Sequence, residues 1–244
     1  MDVVRYSVRG GFFIPFMALS KVINFIFPHL CPGCHTVMSN QGFCPSCWSK
    51  LTFITPPWCA LCGQPFATSC TTLCLACQKK IPLFNSHRAL WHYGPVSRRV
   101  IFSFKHGKQR YLTPLLAKWL LPLALSLKVD YVLPVPLHPH RLAYRGFNQS
   151  CVLAQALSRM TAIPLVREGL IRIFKTPSQG RFSLSQRQDN VQGAFTSSHE
   201  WSGESFLLID DVYTSGATLN ACTMALKDAG AHHVHALTLA KVTS

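Results

Sequence analysis

Phe206-Leu207-Leu208-Ile209-Asp210-Asp211-Val212-Tyr213-Thr214-Ser215-Gly216-Ala217-Thr218-Leu219 is the stretch whose reading decides the fold. Four apolar residues make a central strand. Two acids stand at its carboxyl end, where open α/β sheets bind their ligands. A turn of hydroxyl residues and glycine follows, and then a helix begins. Backbone N–H groups at such a turn and helix start form a cradle for phosphate. Thr214, Ser215 and Thr218 add hydroxyl donors, and Gly216 lets the backbone come close. The two acids would repel a phosphate, so they suit a neighbour that carries hydroxyls or a metal. A ribose bearing a 5′-phosphate meets both needs. The plainer alternative is a helix-capping loop after a core strand, but paired acids buried without partners are costly.

The surrounding chain reads as alternating strands and helices. Strands are expected at His87–Tyr93, Asp130–Pro136, Phe206–Asp211 and Val234–Ala240. Helices are expected at Val96–Lys105, Tyr111–Leu127, Asn148–Met160 and Gly216–Ala229. Alternation of this kind predicts a parallel sheet flanked by helices. Gly230 stands where a helix C-terminus wants glycine.

Two further segments border the predicted site. Leu133-Pro134-Val135-Pro136-Leu137-His138-Pro139-His140-Arg141 follows a core strand and continues through Arg145-Gly146-Phe147-Asn148-Gln149. Its prolines predict a rigid turn, with a cis bond as one option. Arg141 and Arg145 suit bidentate contact with a diphosphate, or else are solvated surface charges. Leu170–Gly193 is polar and basic and predicts a long exposed loop carrying Lys175, able to close over a leaving group.

Nine of the eleven cysteines fall between Cys31 and Cys77. Eight form CxxC steps: Cys31/Cys34, Cys44/Cys47, Cys59/Cys62 and Cys74/Cys77. Two steps close one tetrahedral zinc site, so four steps close two. Sequential pairing is expected; interleaved pairing is the alternative. Cys70 and His35 stand in reserve, and Cys151 and Cys222 read as helix packing residues. A disulfide framework is the competing reading and needs an oxidising compartment. Four thiolates leave no open position, so the zinc is structural.

The chain carries a formal charge of +15, and its 24 Lys and Arg face 9 Asp and Glu. From Val3 to Val129 there is no acid at all. Such a half-chain predicts a polyanionic partner. Trp48, Trp58, Phe66, Trp91 and Phe104 lie near basic residues and could stack bases, though a core role is the commoner one for such residues. Phe12–Leu30 and Leu115–Leu127 are apolar but broken by lysine and proline, so no transmembrane span is expected; an amphipathic helix touching a membrane surface is the alternative for the first. No cleavable signal is evident, and a cytoplasmic location is expected. Residues 1–82 are expected to form the cysteine-rich module and 83–244 the α/β domain.

The Asp-Asp loop closely resembles the diphosphate-sugar motif of type I phosphoribosyltransferases. Taken with the cysteine pairs, Pro-Val-Pro-Leu-His, Arg-Gly-Phe-Asn-Gln and Arg-Gln-Asp-Asn-Val-Gln-Gly-Ala-Phe, the order resembles the ComF family from about Phe27 to Lys241. The resemblance implies a type I phosphoribosyltransferase-like sheet with a zinc module. It implies that Asp210 and Asp211 hold the ribose 2′- and 3′-hydroxyls of 5-phosphoribosyl 1-diphosphate. Thr214, Ser215, Gly216, Ala217 and Thr218 would hold its 5′-phosphate, with Mg²⁺ on the diphosphate and Arg141, Arg145 and Lys175 neutralising charge. It further implies a role in DNA uptake or use of external DNA, with single-stranded DNA or a competence helicase as partner. Two classes follow: an enzyme with an unknown acceptor, or a binding protein that only senses the sugar.

Overall fold

The computed structural model describes residues 29–67, 71–107, 109–173 and 193–243. They fall into two compact units that divide between Trp48 and Ser49. In the smaller unit, β1 (His29–Leu30) and β2 (Val37–Met38) form an antiparallel hairpin, followed by the short helix α1 (Pro45–Trp48). The apolar stretch before Leu30 lies outside the described residues.

The larger unit begins with the second cysteine group and α2 (Leu75–Lys79). Then come β3 (Ser86–His92), α3 (Pro95–Lys105), a 3-10 turn at Arg110–Leu112, α4 (Thr113–Leu125), β4 (Tyr131–Pro134), α5 (Pro139–Arg145) and α6 (Gln149–Thr161). After β5 (Leu170–Arg172), β6 (Phe195–Ser197), β7 (Ser205–Tyr213) and α7 (Ala217–Asp228), the chain ends on β8 (His233–Lys241). The main sheet has the order β3-β8-β7-β4 and is parallel throughout. Parallel strands covered on both faces read as continuous apolar runs. Phe206 to Ile209 in β7 are all fully buried, as is Leu133 in β4. The apolar stretch around Leu115–Leu127 is α4, which packs Leu116, Ala117, Leu120 and Ala124 inward against α6 and the sheet. Among the described residues no helix is long and apolar enough to cross a membrane.

Two expectations are corrected here. Leu170–Gly193 is not a loop from its start. Leu170 and Arg172 are buried in β5, which pairs with β6, while Ile171 faces outward. An arginine on the inward face disguised the alternation. The segment after His138 is not only a turn: Pro139 opens α5 at its first position, where its missing N–H costs nothing. Lys175 lies outside the described residues, and no cis peptide occurs around Pro134–Pro139.

The second cysteine group is built into the larger unit. Cys59, Cys62, Cys77 and Phe84 share one buried cluster with Leu133, Phe206, Leu208 and Tyr213. His87 N donates to Leu61 O at 2.6 Å, and Arg88 Nη1 donates to Ala60 O at 3.0 Å. Gly63 makes this seat fit: its φ is +67°, and a Cβ there would meet His87 O at 2.5 Å. The matching turn of the first group places His35 at φ 63°. Both turns close with the same bonds, Cys31 N to Thr36 O and Cys59 N to Gln64 O. Gly63→Ala should therefore cost about 1–2 kcal/mol, from the positive φ and the backbone contact together. Thermal unfolding checks this; a change below about 0.5 kcal/mol would mean the turn does not press on β3.

Candidate functional site

The two metal groups close sequentially. The four sulfurs of Cys31, Cys34, Cys44 and Cys47 lie within 4.8 Å of one another, and so do those of Cys59, Cys62, Cys74 and Cys77. Zinc–sulfur bonds of about 2.3 Å in a tetrahedron put sulfurs about 3.8 Å apart. Cys34 and Cys44 stand at 3.6 Å, and so do Cys62 and Cys74. The Cys44 N–H points at Cys31 Sγ at 3.3 Å, a bond that suits a thiolate. The described cysteines are free thiols. The donor sets thus fit two structural zinc ions with no open position. His35 is exposed and belongs to neither set; Cys70 lies outside the described residues. Cys222 is fully buried, and Cys151 is half-buried.

The Asp-Asp loop sits at the carboxyl end of β7. β4 ends where Pro134 pairs with Ile209, so Asp210 and Asp211 project beyond it. Asp211 is almost fully buried. It accepts from Gln149 Nε2 at 2.7 Å and pairs with Lys105 Nζ at 3.0 Å. Gln149 in turn accepts from Arg145 Nη1 at 3.3 Å. Asp210 accepts from Ser150 Oγ at 3.1 Å and from the Asp211 N–H at 2.9 Å. Burial first, and the Asp211 charge second, push the Asp210 carboxyl up to about 7.

The loop then turns through Gly216, whose φ is +77°, into α7. A Cβ on Gly216 would lie 2.6 Å from the Tyr213 hydroxyl. Ser215 Oγ accepts from Ala217 N at 3.4 Å. Thr214 and Thr218 are half-buried beside them.

Positive charge gathers round the acids. Arg141 on α5 is half-buried, and burial followed by Arg145 lowers its pKa. Arg172 on β5 is buried against the Phe195 ring, and both Arg141 and Asp210 act on its charge. Arg145 is thus tied to Asp211 through Gln149, while Arg141 acts on Arg172 rather than directly on the acids. Asn148 fixes this arrangement: it caps α6 by accepting from Ser150 N at 3.0 Å and donates to Val135 O at 3.0 Å.

Sequence reasoning missed Lys105, Gln149, Ser150 and Arg172. Gln149 and Ser150 follow directly on Asn148, a helix-cap residue, so their place at a helix start was readable. For Lys105 the signal is only a base in the last turn of α3. Of the aromatic candidates, Trp91 and Phe104 take the commoner core role rather than base stacking: both are fully buried. Trp91 packs edge-on against Phe53 and Trp119. Trp58 lies under Arg88, 5.1 Å from its guanidinium.

Fold and site define a class: a double zinc ribbon joined to a phosphoribosyltransferase domain. The double zinc ribbon model matches residues 22–78, and the phosphoribosyl transferase domain model matches residues 148–244. Competence protein F of Haemophilus influenzae is 30% identical over 84% of this chain and 92% of its own length. DNA utilization protein YhgH of Escherichia coli K12 is 29% identical over 84% and 93%. Competence protein ComFC of Bacillus subtilis is 28% identical over 78% and 80%. The chain belongs to the ComF family.

Proposed function

We propose that this protein binds 5-phosphoribosyl 1-diphosphate with Mg²⁺ over the ends of β4 and β7, and transfers its phosphoribosyl group in the service of DNA uptake or use. The observation that carries the reading is the pair Asp210 and Asp211, held by Ser150, Gln149 and Lys105 next to a glycine turn that opens a helix. The acids suit the ribose hydroxyls. The loop from Thr214 to Thr218 offers N–H and hydroxyl donors to the 5′-phosphate. Arg141, Arg145 and Arg172 suit the diphosphate and the charge that grows on it as it leaves. Mg²⁺ would travel with the diphosphate and shield it. The biological role rests on the names of the relatives, competence and DNA utilization.

The test is calorimetric titration of 5-phosphoribosyl 1-diphosphate with Mg²⁺ into wild type and the double variant Asp210→Asn, Asp211→Asn. Micromolar binding that disappears in the variant is expected. A folded, zinc-loaded wild type that does not bind overturns the reading. One observation favours a second role, in which the domain only senses the sugar while the protein handles single-stranded DNA. Tyr144 on α5 is 83% exposed, beside Arg141 and Arg145, as a stacking platform for bases requires. DNA binding that survives the double substitution, without turnover, supports that role.

A further inference from the structure

Four thiolates round a Zn²⁺ leave each metal group with a net charge of about −2. The two groups meet that charge in different surroundings. In the first, Cys34 is exposed and Cys44 is half-buried. Its sulfurs take bonds from neutral donors, the Cys44 and Cys47 N–H groups and the Thr36 hydroxyl. In the second, Cys59, Cys62 and Cys77 are all buried, in one cluster with Phe206 and Tyr213. Buried charge is costly unless opposite charge stands close by. Lys241, the last residue of β8, is 3% exposed and lines one cavity with Cys62, Cys74, Cys77 and Tyr213. Its ammonium sits 3.8 Å from the centre of the Tyr213 ring. Among the described residues no carboxylate lies within ion-pair reach of it; the ion pair found there joins Lys105 to Asp211.

We infer that Lys241, seconded by Arg88, is the counter-charge of the second zinc site, and that the two zinc ions are held unequally: the second is retained and the first is open to exchange. Arg88 is half-buried, and its Nη1 donates to Ala60 O at 3.0 Å, inside the Cys59–Cys62 step. Burial lowers the pKa of Lys241 and of Arg88, and in both the charges of Cys59 and Cys62 act against that; on Lys241 those of Cys74 and Cys77 do so too. Opposite charge close by favours the charged, fully ligated site. A chelator takes zinc by reaching the metal as a sulfur leaves it. Burial denies that approach at the second group, while the first group offers Cys34. The sheet fixes where the positive charge stands, because Lys241 pairs in register with Tyr213 at the end of β7. Lys241 therefore acts on the metal through the cysteines, as a positioning residue. Loss of such an outer partner typically costs about 10–100-fold in metal affinity.

The experiment follows zinc release from the full, zinc-loaded chain into excess 4-(2-pyridylazo)resorcinol, read by the colour of the zinc–dye complex. Wild type should release its zinc in two phases of one equivalent each, and Cys34→Ser should lack the fast one. Lys241→Met should speed the slow phase at least tenfold and leave the fast phase within twofold. Lys241→Arg keeps the charge and should stay within threefold of wild type in both phases. Release of both ions from wild type in a single phase overturns the inequality of the sites. A slow phase within twofold of wild type in Lys241→Met overturns the role of Lys241. Equal acceleration by Lys241→Met and Lys241→Arg means that the side chain's shape matters and its charge does not, which overturns the role as well. If Lys241→Met purifies with one zinc, the arginine variant decides: two equivalents there support the counter-charge, and one equivalent in both variants overturns it.

Discussion

Cys62→Ser should lower the zinc content from two equivalents to one and take several kcal/mol from the stability of the larger unit. Structural zinc in ribbon-sized sites contributes about 10–16 kcal/mol of binding free energy, and that energy is folding energy. In an isolated ribbon the loss would end with the ribbon. Here Cys59, Cys62 and Cys77 lie in the same buried cluster as Phe206, Leu208 and Tyr213. The Cys62 carbonyl also takes a bond from the buried His87 side chain, at 2.9 Å. His87 in turn stacks on Tyr213 with ring centres 4.3 Å apart. Tyr213 closes against Gly216 in the Asp-Asp loop. Loss of the metal is thus transmitted through packed rings to the loop, and binding of the diphosphate sugar should fall along with stability. Cys151→Ser is the control, since Cys151 is half-buried in α6 and outside both metal groups. Zinc analysis with calorimetric unfolding decides the matter. A Cys62→Ser protein that melts with wild type would mean that the ribbon is only appended to the domain.

That integration was not legible in the sequence, although the ribbon itself was. Cysteine spacing shows which sulfurs can meet, because a CxxC step is local chemistry. It does not show what the outer face of the turn rests on. Gly63 is the single local mark of the contact, and its reason lies 24 positions along the chain, in the backbone of His87. The Asp-Asp loop was legible for the same reason as the CxxC steps: strand, acids, turn and helix start are consecutive. Lys105 and Arg172 were not, because each reaches the acids only after the sheet brings distant segments together. Arg172 hid a strand as well as a site residue, since a buried arginine violates the period-2 pattern that identifies strands. Trp91 and Phe104 were legible as the commoner core role. Basic neighbours in sequence made a stacking surface conceivable, yet β3 buried on both faces and the inward face of α3 place both in the core.

Asp210→Asn should melt higher than wild type above pH 7 while binding the diphosphate sugar at least 100-fold more weakly. An ordinary aspartate has a pKa near 4 in the unfolded chain. In the folded protein, burial and the Asp211 charge raise the Asp210 value to about 7. A raised acid pKa means that the ionised form opposes folding. The penalty is complete above pH 7, shrinks as pH falls from 7 towards 4, and is gone below 4, where folded and unfolded chains are both protonated. Asparagine removes it at every pH. Its side-chain oxygen still accepts from Ser150 Oγ and the Asp211 N–H, so the present bonds survive. The coupling to Asp211 limits the expected gain to about 1–3 kcal/mol, and each kcal/mol is worth about 2–4 °C in a domain of this size. Melting curves at pH 8 and pH 4 separate this electrostatic gain from any packing effect. An equal offset at both values, or a variant less stable at pH 8, would exclude it. On the proposed reading the wild-type protein keeps the unfavourable charge because a carboxylate, unlike an amide, can accept from both vicinal hydroxyls of a ribose with its two oxygens. If the sugar binds there, it should raise the melting temperature of wild type and leave that of the variant where it was.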